Sequence, residues 1–323
     1  MQESTINRSV VEKLEVANAE LIAPQGSNPE LHWVEANGMS HAYFEWRADL
    51  RGTLPSLLMV HATGFHGRVW DQVVARLPNR HIIALEQRGH GRSQTAETVL
   101  ISDWAVFGQD VAAIVEALDL KEIIGIGHSM GSCALIQGAA YKTHHFKQLV
   151  LIDPTIFDPV LYHAPSAIGA EEHPAAKRLN HFESAQAMVA RFSDRQPYAS
   201  FTQQCLQDYC EHALKPAANG SGFELACHPK TEASIYMAAR RNLGIYASVL
   251  ALTIPVLLIR ARLPASKIRL DFSSSPTWPG LVSVFQRARE VYLAHRNHLV
   301  VMEDPALIAQ LIQEEINTTQ TGE

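Results

Sequence analysis

An α/β fold, with a mostly parallel central sheet flanked by helices and an inserted helical cap, is what the sequence predicts, on three observations. Between residues 57 and 153, short apolar runs alternate with amphipathic stretches, the strand-helix rhythm of parallel strands joined by right-handed crossovers. One run, Ile123 to Ile126, stops at Gly-His-Ser-Met-Gly (127–131) and is followed by small residues from Cys133 to Ala140, a strand that turns sharply into a closely packed helix. From residue 155 to about 248 the rhythm breaks into helical stretches separated by Pro and Gly clusters, and the strand pattern resumes at Ile254 to Ile259.

Length and composition set the outer bounds. A chain of 323 residues, 47% hydrophobic, buries one substantial core and need not divide into independent domains. The expected division is an N-terminal extension (1–28), a core from 29–154 and 249–323, and a cap from 155–248. Acidic residues (33) outnumber basic ones (27) without any basic block, which argues against nucleic acid as a partner. Cys133, Cys205, Cys210 and Cys227 have no CxxC pairing, so reduced thiols in the cytoplasm are the simplest reading, with a disulfide among the last three as the alternative. No apolar run reaches membrane-spanning length, and the first residues lack a basic stretch followed by an apolar one, so a soluble, unexported, cytoplasmic protein without membrane insertion is expected. Sixteen histidines invite a metal reading, but no HxxxH or HExxH pattern occurs, and His144-His145 reads as a solvated helix end; no metal and no cofactor are expected.

In chain order, Val10 to Leu21 has the character of a short helix. Leu31–Ala36 and Ala42–Trp46 flank Asn37-Gly38, a hairpin turn signal. Leu57 to His61 is apolar throughout, as a strand buried on both faces must be, and ends in the small-residue loop His-Ala-Thr-Gly-Phe (61–65). Trp70, Val73, Val74 and Leu77 have helix spacing and Pro78 stops them; His81 to Leu85 is the next strand. Trp104, Phe107, Val111, Ile114, Val115 and Leu118 form one stripe behind a cap at Ser102 or Asp103. Gln148 to Asp153 is a strand closed by Pro154. The insertion should hold helices at 183–192, 201–214 and 234–241 and no strand. Glu290 to Ala294 is the last strand, and Pro305 opens a closing helix with Leu307, Ile308, Leu311, Ile312 and Ile316 on its buried face.

Gly-x-Ser-x-Gly at a strand-to-helix turn strains its central residue and pushes the Ser129 hydroxyl outward, where a base can reach it. Four motifs then stand in order: His-Ala-Thr-Gly-Phe (61–65), Gln-Arg-Gly-His-Gly-Arg-Ser (87–93), Gly-His-Ser-Met-Gly (127–131), and His298 in Asn-His-Leu-Val-Val-Met-Glu-Asp-Pro. In these motifs, over about residues 30 to 316, the chain resembles the α/β-hydrolase family, as a serine esterase or lipase-like member with a helical cap.

The resemblance implies a set of roles. Ser129 would be the nucleophile and His298 the base that takes its proton, with His295 and His128 only flanking. The amide of Met130, at the start of a helix, would stabilise the oxyanion. A second amide would come from Thr63, or from Gly64 or Phe65; Ala62 stands where the family usually has another glycine. Arg88 and His90 would brace a loop rather than line the pocket. The acid is the irregular part: the family's common position, just beyond Ile259, reads Arg260-Ala-Arg-Leu-Pro264 and holds no carboxylate. Two candidates are left, Asp153 at the end of the strand after the Ser129 helix and Asp271 in an extended loop; Asp153 is preferred because it needs no insertion to reach His298. The expected activity is hydrolysis of a small-molecule carboxylic ester, or a related acyl compound, through an acyl-enzyme. Lactonase, thioesterase, perhydrolase or carbon-carbon hydrolase activity would use the same groups, and a non-catalytic small-molecule-binding protein is the reading from another class. Phe157, Tyr162, Phe182, Phe192, Tyr198, Phe201, Tyr209 and Tyr236 supply the cap with aromatic rings for a pocket or for its own core.

Overall fold

A computed structural model describes residues 28–93, 100–163, 173–265 and 272–321. The helix expected at 10–21 and the candidate acid Asp271 lie outside the described residues.

The chain opens on the hairpin β1 (Glu30–Ala36) and β2 (Met39–Trp46), whose turn places Asn37 and Gly38 both at positive φ, 45° and 76°. It continues through β3 (Leu57–Val60), α1 (Asp71–Val74), β4 (Ile82–Leu85), α2 (Ala105–Ala117), β5 (Ile123–His128), α3 (Met130–Tyr141) and β6 (Phe146–Ile152). Then come β7 (His181–Phe182), α4 (Ala185–Phe192), α5 (Gln203–His212), β8 (Leu214–Pro216), β9 (Phe223–Leu225), α6 (Pro229–Ala238) and α7 (Ile245–Ala251). The chain closes with β10 (Val256–Ala261), β11 (Ala288–Leu293), α8 (Val300–Glu303) and α9 (Pro305–Thr321).

The eight-stranded sheet runs β1-β2-β4-β3-β5-β6-β10-β11. Only β1 and β2, and β2 and β4, pair antiparallel; every other neighbour is parallel. Because successive strand residues face opposite ways, the central strands split between two cores. Leu57, Met59, Ile124, Ile126, Val150, Ile152, Leu257 and Ile259 pack on one face under α9; Leu58, Val60, Ile123, Leu149, Leu151, Val256 and Leu258 pack on the other with α2, α3 and α7. At about 1.5–3 kcal/mol per fully buried side chain, these layers hold the sheet in place, and the loops at the carboxyl ends of its parallel strands carry the site.

Several expectations need adjustment. The stretch from 70 to 77 is a 3-10 turn followed by a single turn of α-helix, though Trp70, Val73, Val74 and Leu77 are all buried. The insertion carries a small antiparallel sheet, β7-β9-β8, whose strands of two and three residues are too short to leave a periodic signature. Its last long helix starts at Pro229 rather than 234, because Pro229 occupies the first turn and the His228 ring accepts the Lys230 N–H as a cap. His145 is buried, with Nδ1 donating to the Leu120 carbonyl at 2.6 Å, so it is a structural tie rather than a solvated end. All four cysteines are buried and unpaired.

Candidate active site

Where β5 meets α3, Ser129 takes φ 56° and ψ −116°, a conformation a side chain tolerates only when its surroundings over-determine it. They do. Its N–H donates to the Ile152 carbonyl at 2.9 Å, and the Ser132 N–H returns to the Ser129 carbonyl at 3.2 Å. A Cβ on Gly131 would lie 2.1 Å from the Val60 carbonyl oxygen, and one on Gly127 would lie 2.6 Å from the Ser132 nitrogen. Both glycines are therefore required by close approach of backbone to backbone, which lets α3 start directly against β3.

His298 follows β11 and brings its Nε2 to 2.9 Å from Ser129 Oγ, while its Nδ1 lies 2.6 Å from Asp153 Oδ2. Asp153 ends β6 at φ 44° and is fully buried. Its other oxygen, Oδ1, accepts the Ala261 N–H at 2.9 Å and the Ser275 hydroxyl at 2.5 Å, while the Thr277 hydroxyl, 3.3 Å away, gives its proton to the Pro154 carbonyl at 2.6 Å. These bonds offset the cost of burying the carboxylate. They also account for the missing acid beyond Ile259: β10 contributes a backbone N–H there. Arg260 turns to the opposite side, pairs with Glu290 at 2.7 Å and lies over the Tyr292 ring.

The His128 ring does more than the sequence suggested. Its Nε2–H donates to the His298 carbonyl at 2.8 Å, bracing the loop that carries the imidazole. Burial, and then the neighbouring His298, pull its pKa down to about 3.

The second loop is held as firmly. The Gly64 N–H donates to His90 Nε2 at 2.9 Å, and the Phe65 N–H to the Ala62 carbonyl at 3.2 Å, so neither of these amides is free for a substrate. Among the described residues, the N–H groups of Thr63 and Met130 have no hydrogen-bond acceptor. The Thr63 hydroxyl reaches Met130 Sδ at 3.2 Å, which ties the two residues together. His90 Nδ1–H donates to the Arg88 carbonyl, and Arg88 pairs with Asp110 at 2.6 Å. Arg88 and His90 thus brace the loop.

These buried neutral histidines make stability sensitive to acid. Burial lowers His90 to about 4 from its ordinary 6.5. Between those values the unfolded chain binds the proton and the folded chain does not, so the contribution is complete above about pH 6.5 and disappears by about pH 4 for His90 and about pH 3 for His128. Asp71, raised by burial to about 6, acts in the opposite sense and offsets one of the two. Two histidines against one carboxyl give these three groups a loss of about 1.4 kcal/mol per pH unit between roughly pH 5.5 and 4, and stability is expected to fall over that range, read from urea midpoints at stepped pH.

A second serine-histidine-carboxylate chain shows that distances alone do not define a nucleophile. Ser56 Oγ lies 2.7 Å from His81 Nδ1, and His81 Nε2 lies 2.8 Å from Glu45 Oε1. Yet Ser56 precedes β3, at the amino end of the parallel strands, with neither positive φ nor a helix N-terminus beside it.

The family model described as the alpha/beta hydrolase family matches residues 57–311, a span that holds the elbow, the strained serine and the parallel strands of the sheet. The chain belongs to the alpha/beta hydrolase family. This alpha/beta hydrolase is 32% identical over 156 residues to the monoglyceride lipase of Rattus norvegicus, covering 46% of this chain and 49% of that one. It is 28% identical over 172 residues to the 2-(acetamidomethylene)succinate hydrolase of Mesorhizobium japonicum, covering 53% and 58%. The chain thus spans about half the length of these curated relatives. Among solved structures, that of E-2-(acetamidomethylene)succinate hydrolase superposes with a TM-score of 0.67 at 21% identity, covering 90% of this chain and 99% of that chain, a likeness of fold. No helix among the described residues is long and apolar enough to cross a membrane.

The aromatic side chains between residues 155 and 248 divide into three groups. Phe182, Phe192, Tyr198, Phe201 and Tyr209 pack on one another and, through Phe65, on the core below the sheet, while Phe157 and Tyr162 pack with Tyr246 on the opposite core. Tyr236 instead reaches the reaction centre: its hydroxyl donates to the Thr63 carbonyl at 3.4 Å and its ring meets Phe272, which stacks on His298.

Proposed function

We propose that this protein is a serine hydrolase that cleaves a carboxylic ester, or a related acyl compound, through an acyl-enzyme. The observation that carries the reading is the unbroken hydrogen-bonded chain Ser129–His298–Asp153 at the elbow, next to two unengaged amides. Ser129 attacks the acyl carbon and His298 Nε2 takes its proton. Asp153 orients the ring and stabilises the imidazolium without taking the proton. The N–H groups of Met130 and Thr63 receive the charge that develops on the carbonyl oxygen. His298 passes the proton to the leaving alcohol, then draws one from water for deacylation. No step requires a metal or an organic cofactor.

In this reading residues 155–248 form a cap over a core of 29–154 and 249–323, and Tyr236 and Phe272 give the substrate's path an aromatic wall. The four buried free thiols fit a reducing compartment such as the cytoplasm. The relatives include both a monoglyceride lipase and a 2-(acetamidomethylene)succinate hydrolase, which supports acyl chemistry as the level at which substrate is assigned. Thioester, lactone and carbon-carbon substrates engage the same groups.

The test is a fluorophosphonate probe with mass-spectrometric mapping, alongside p-nitrophenyl esters of graded chain length. Labelling of Ser129 with ester turnover is expected, and none of Ser56. An unlabelled Ser129 with no ester cleaved above background would overturn the reading in favour of a small-molecule-binding protein on this scaffold.

A further inference from the structure

We propose that Thr155 is a further hydrogen-bonding member of the reaction centre, its hydroxyl donating to Ser129 Oγ while His298 receives the serine's own proton. The proposal rests on the serine-hydrolase reading above. Thr155 Oγ1 lies 2.9 Å from Ser129 Oγ, which His298 Nε2 also meets at 2.9 Å.

Its placement is built in. The Thr155 N–H donates to the Ser129 carbonyl at 3.4 Å, and the Thr155 carbonyl accepts from Cys133 Sγ at 3.5 Å. The Ile156 N–H turns back to the Pro154 carbonyl at 2.8 Å, and the Thr277 hydroxyl donates to that same carbonyl at 2.6 Å. A loop tied at so many points holds one hydroxyl against one oxygen.

The direction of the bond follows from counting protons. Asp153 is acceptor-only when ionised, so the bond to His298 Nδ1 uses that nitrogen's proton and leaves Nε2 a lone pair. Ser129 has one proton, and it goes to Nε2. The remaining contact must then be Thr155 O–H donating to Ser129 Oγ.

The chemistry gives that bond a purpose. In acylation an Oγ lone pair forms the bond to the acyl carbon, the carbonyl π pair moves to its oxygen, and the serine proton passes to Nε2; the pair then returns to re-form the carbonyl, the bond to the leaving alcohol's oxygen breaks, and that oxygen takes the proton from Nε2, which is again a base. In deacylation water adds to the acyl carbon and gives a proton to Nε2. The C–Oγ bond then breaks, its pair returns to Oγ, and Oγ recovers a proton from Nε2. Thr155 keeps its own proton throughout. In both passages Oγ bears partial negative charge while its bond to carbon is incomplete, and a hydrogen bond to a charged acceptor is stronger than one to a neutral hydroxyl. The Thr155 bond therefore favours the transition state over the resting enzyme.

Thr155→Val keeps the branched shape and removes the hydroxyl; Thr155→Ser keeps the hydroxyl and removes the methyl. Thr155→Val is expected to label with fluorophosphonate, and to turn over p-nitrophenyl ester, about tenfold more slowly at unchanged KM, with Thr155→Ser within about twofold of wild type. Thr155→Ala, a second variant without the hydroxyl, should match Thr155→Val in rate, and unfolding midpoints identify any loss caused by misfolding. Wild-type labelling rates in Thr155→Val, or an equal loss in Thr155→Ser, would overturn the proposal. A wild-type enzyme that fails to label at Ser129 would overturn the serine-hydrolase reading itself, a distinct outcome.

Discussion

Asp153→Asn is expected to lower kcat by about a thousand-fold to ten-thousand-fold with little change in KM, as in other triads whose acid is amidated. The reason lies in the donors around the side chain. Ala261 N–H and the Ser275 hydroxyl both point at Oδ1, so an asparagine must place its carbonyl oxygen there and turn its NH2 toward His298. An NH2 facing Nδ1 forces the imidazole into the other tautomer, with the proton on Nε2. His298 then meets Ser129 as a donor and cannot act as a base. The same change at Asp271 is expected to leave turnover close to wild type. Kinetics of the two variants with one p-nitrophenyl ester decide the matter, and a greater loss in Asp271→Asn would assign the acid role to Asp271.

Gly131→Ala is expected to destabilise the fold by more than about 4 kcal/mol, beyond the range of ordinary point substitutions. The added Cβ would sit 2.1 Å from the Val60 carbonyl oxygen and 2.6 Å from that of His61, both backbone atoms of a central strand and its loop. Relief requires α3 to lift away from β3, which also carries Ser129 and Met130 off their partners. Gly138→Ala is the milder comparison on the same helix: its Cβ would meet Val111 Cγ1 at 2.6 Å and Val111 Cβ at 2.9 Å, so rotation relieves only the first contact and α2 must give slightly, and a cost of about 1–3 kcal/mol is expected. Urea denaturation of the two variants tests the difference, and equal midpoints would remove the steric argument.

Some of the chemistry is carried by local pattern. Ser129 could be read because strand, glycines, serine and helix fall within about fifteen consecutive residues, and a strained elbow is a local object. His298 could be singled out because its position relative to the closing helix resembles the family's. The sheet was readable because buried strands need continuous apolar runs. The short strands β7, β8 and β9 were not, since two or three residues cannot show a period.

The remaining features depend on contacts between residues distant in the chain. Which carboxylate faces His298 Nδ1 is settled across 145 residues of chain separation, and what surrounds that carboxylate comes from β10 and from Ser275 and Thr277 beyond it. The serine-rich stretch after Phe272 was the available signal for those donors, but serines in a loop are common and their partners are invisible in a string. The roles of the His128 ring and the Thr155 hydroxyl share this origin, since each depends on a carbonyl or oxygen brought in by folding. Local sequence determined the strained serine, the strands and the helix that frame it, because backbone conformation and burial periodicity are written over short spans. The tertiary structure alone decided which groups hydrogen-bond to them, because direction and distance between remote side chains exist only once the sheet has assembled.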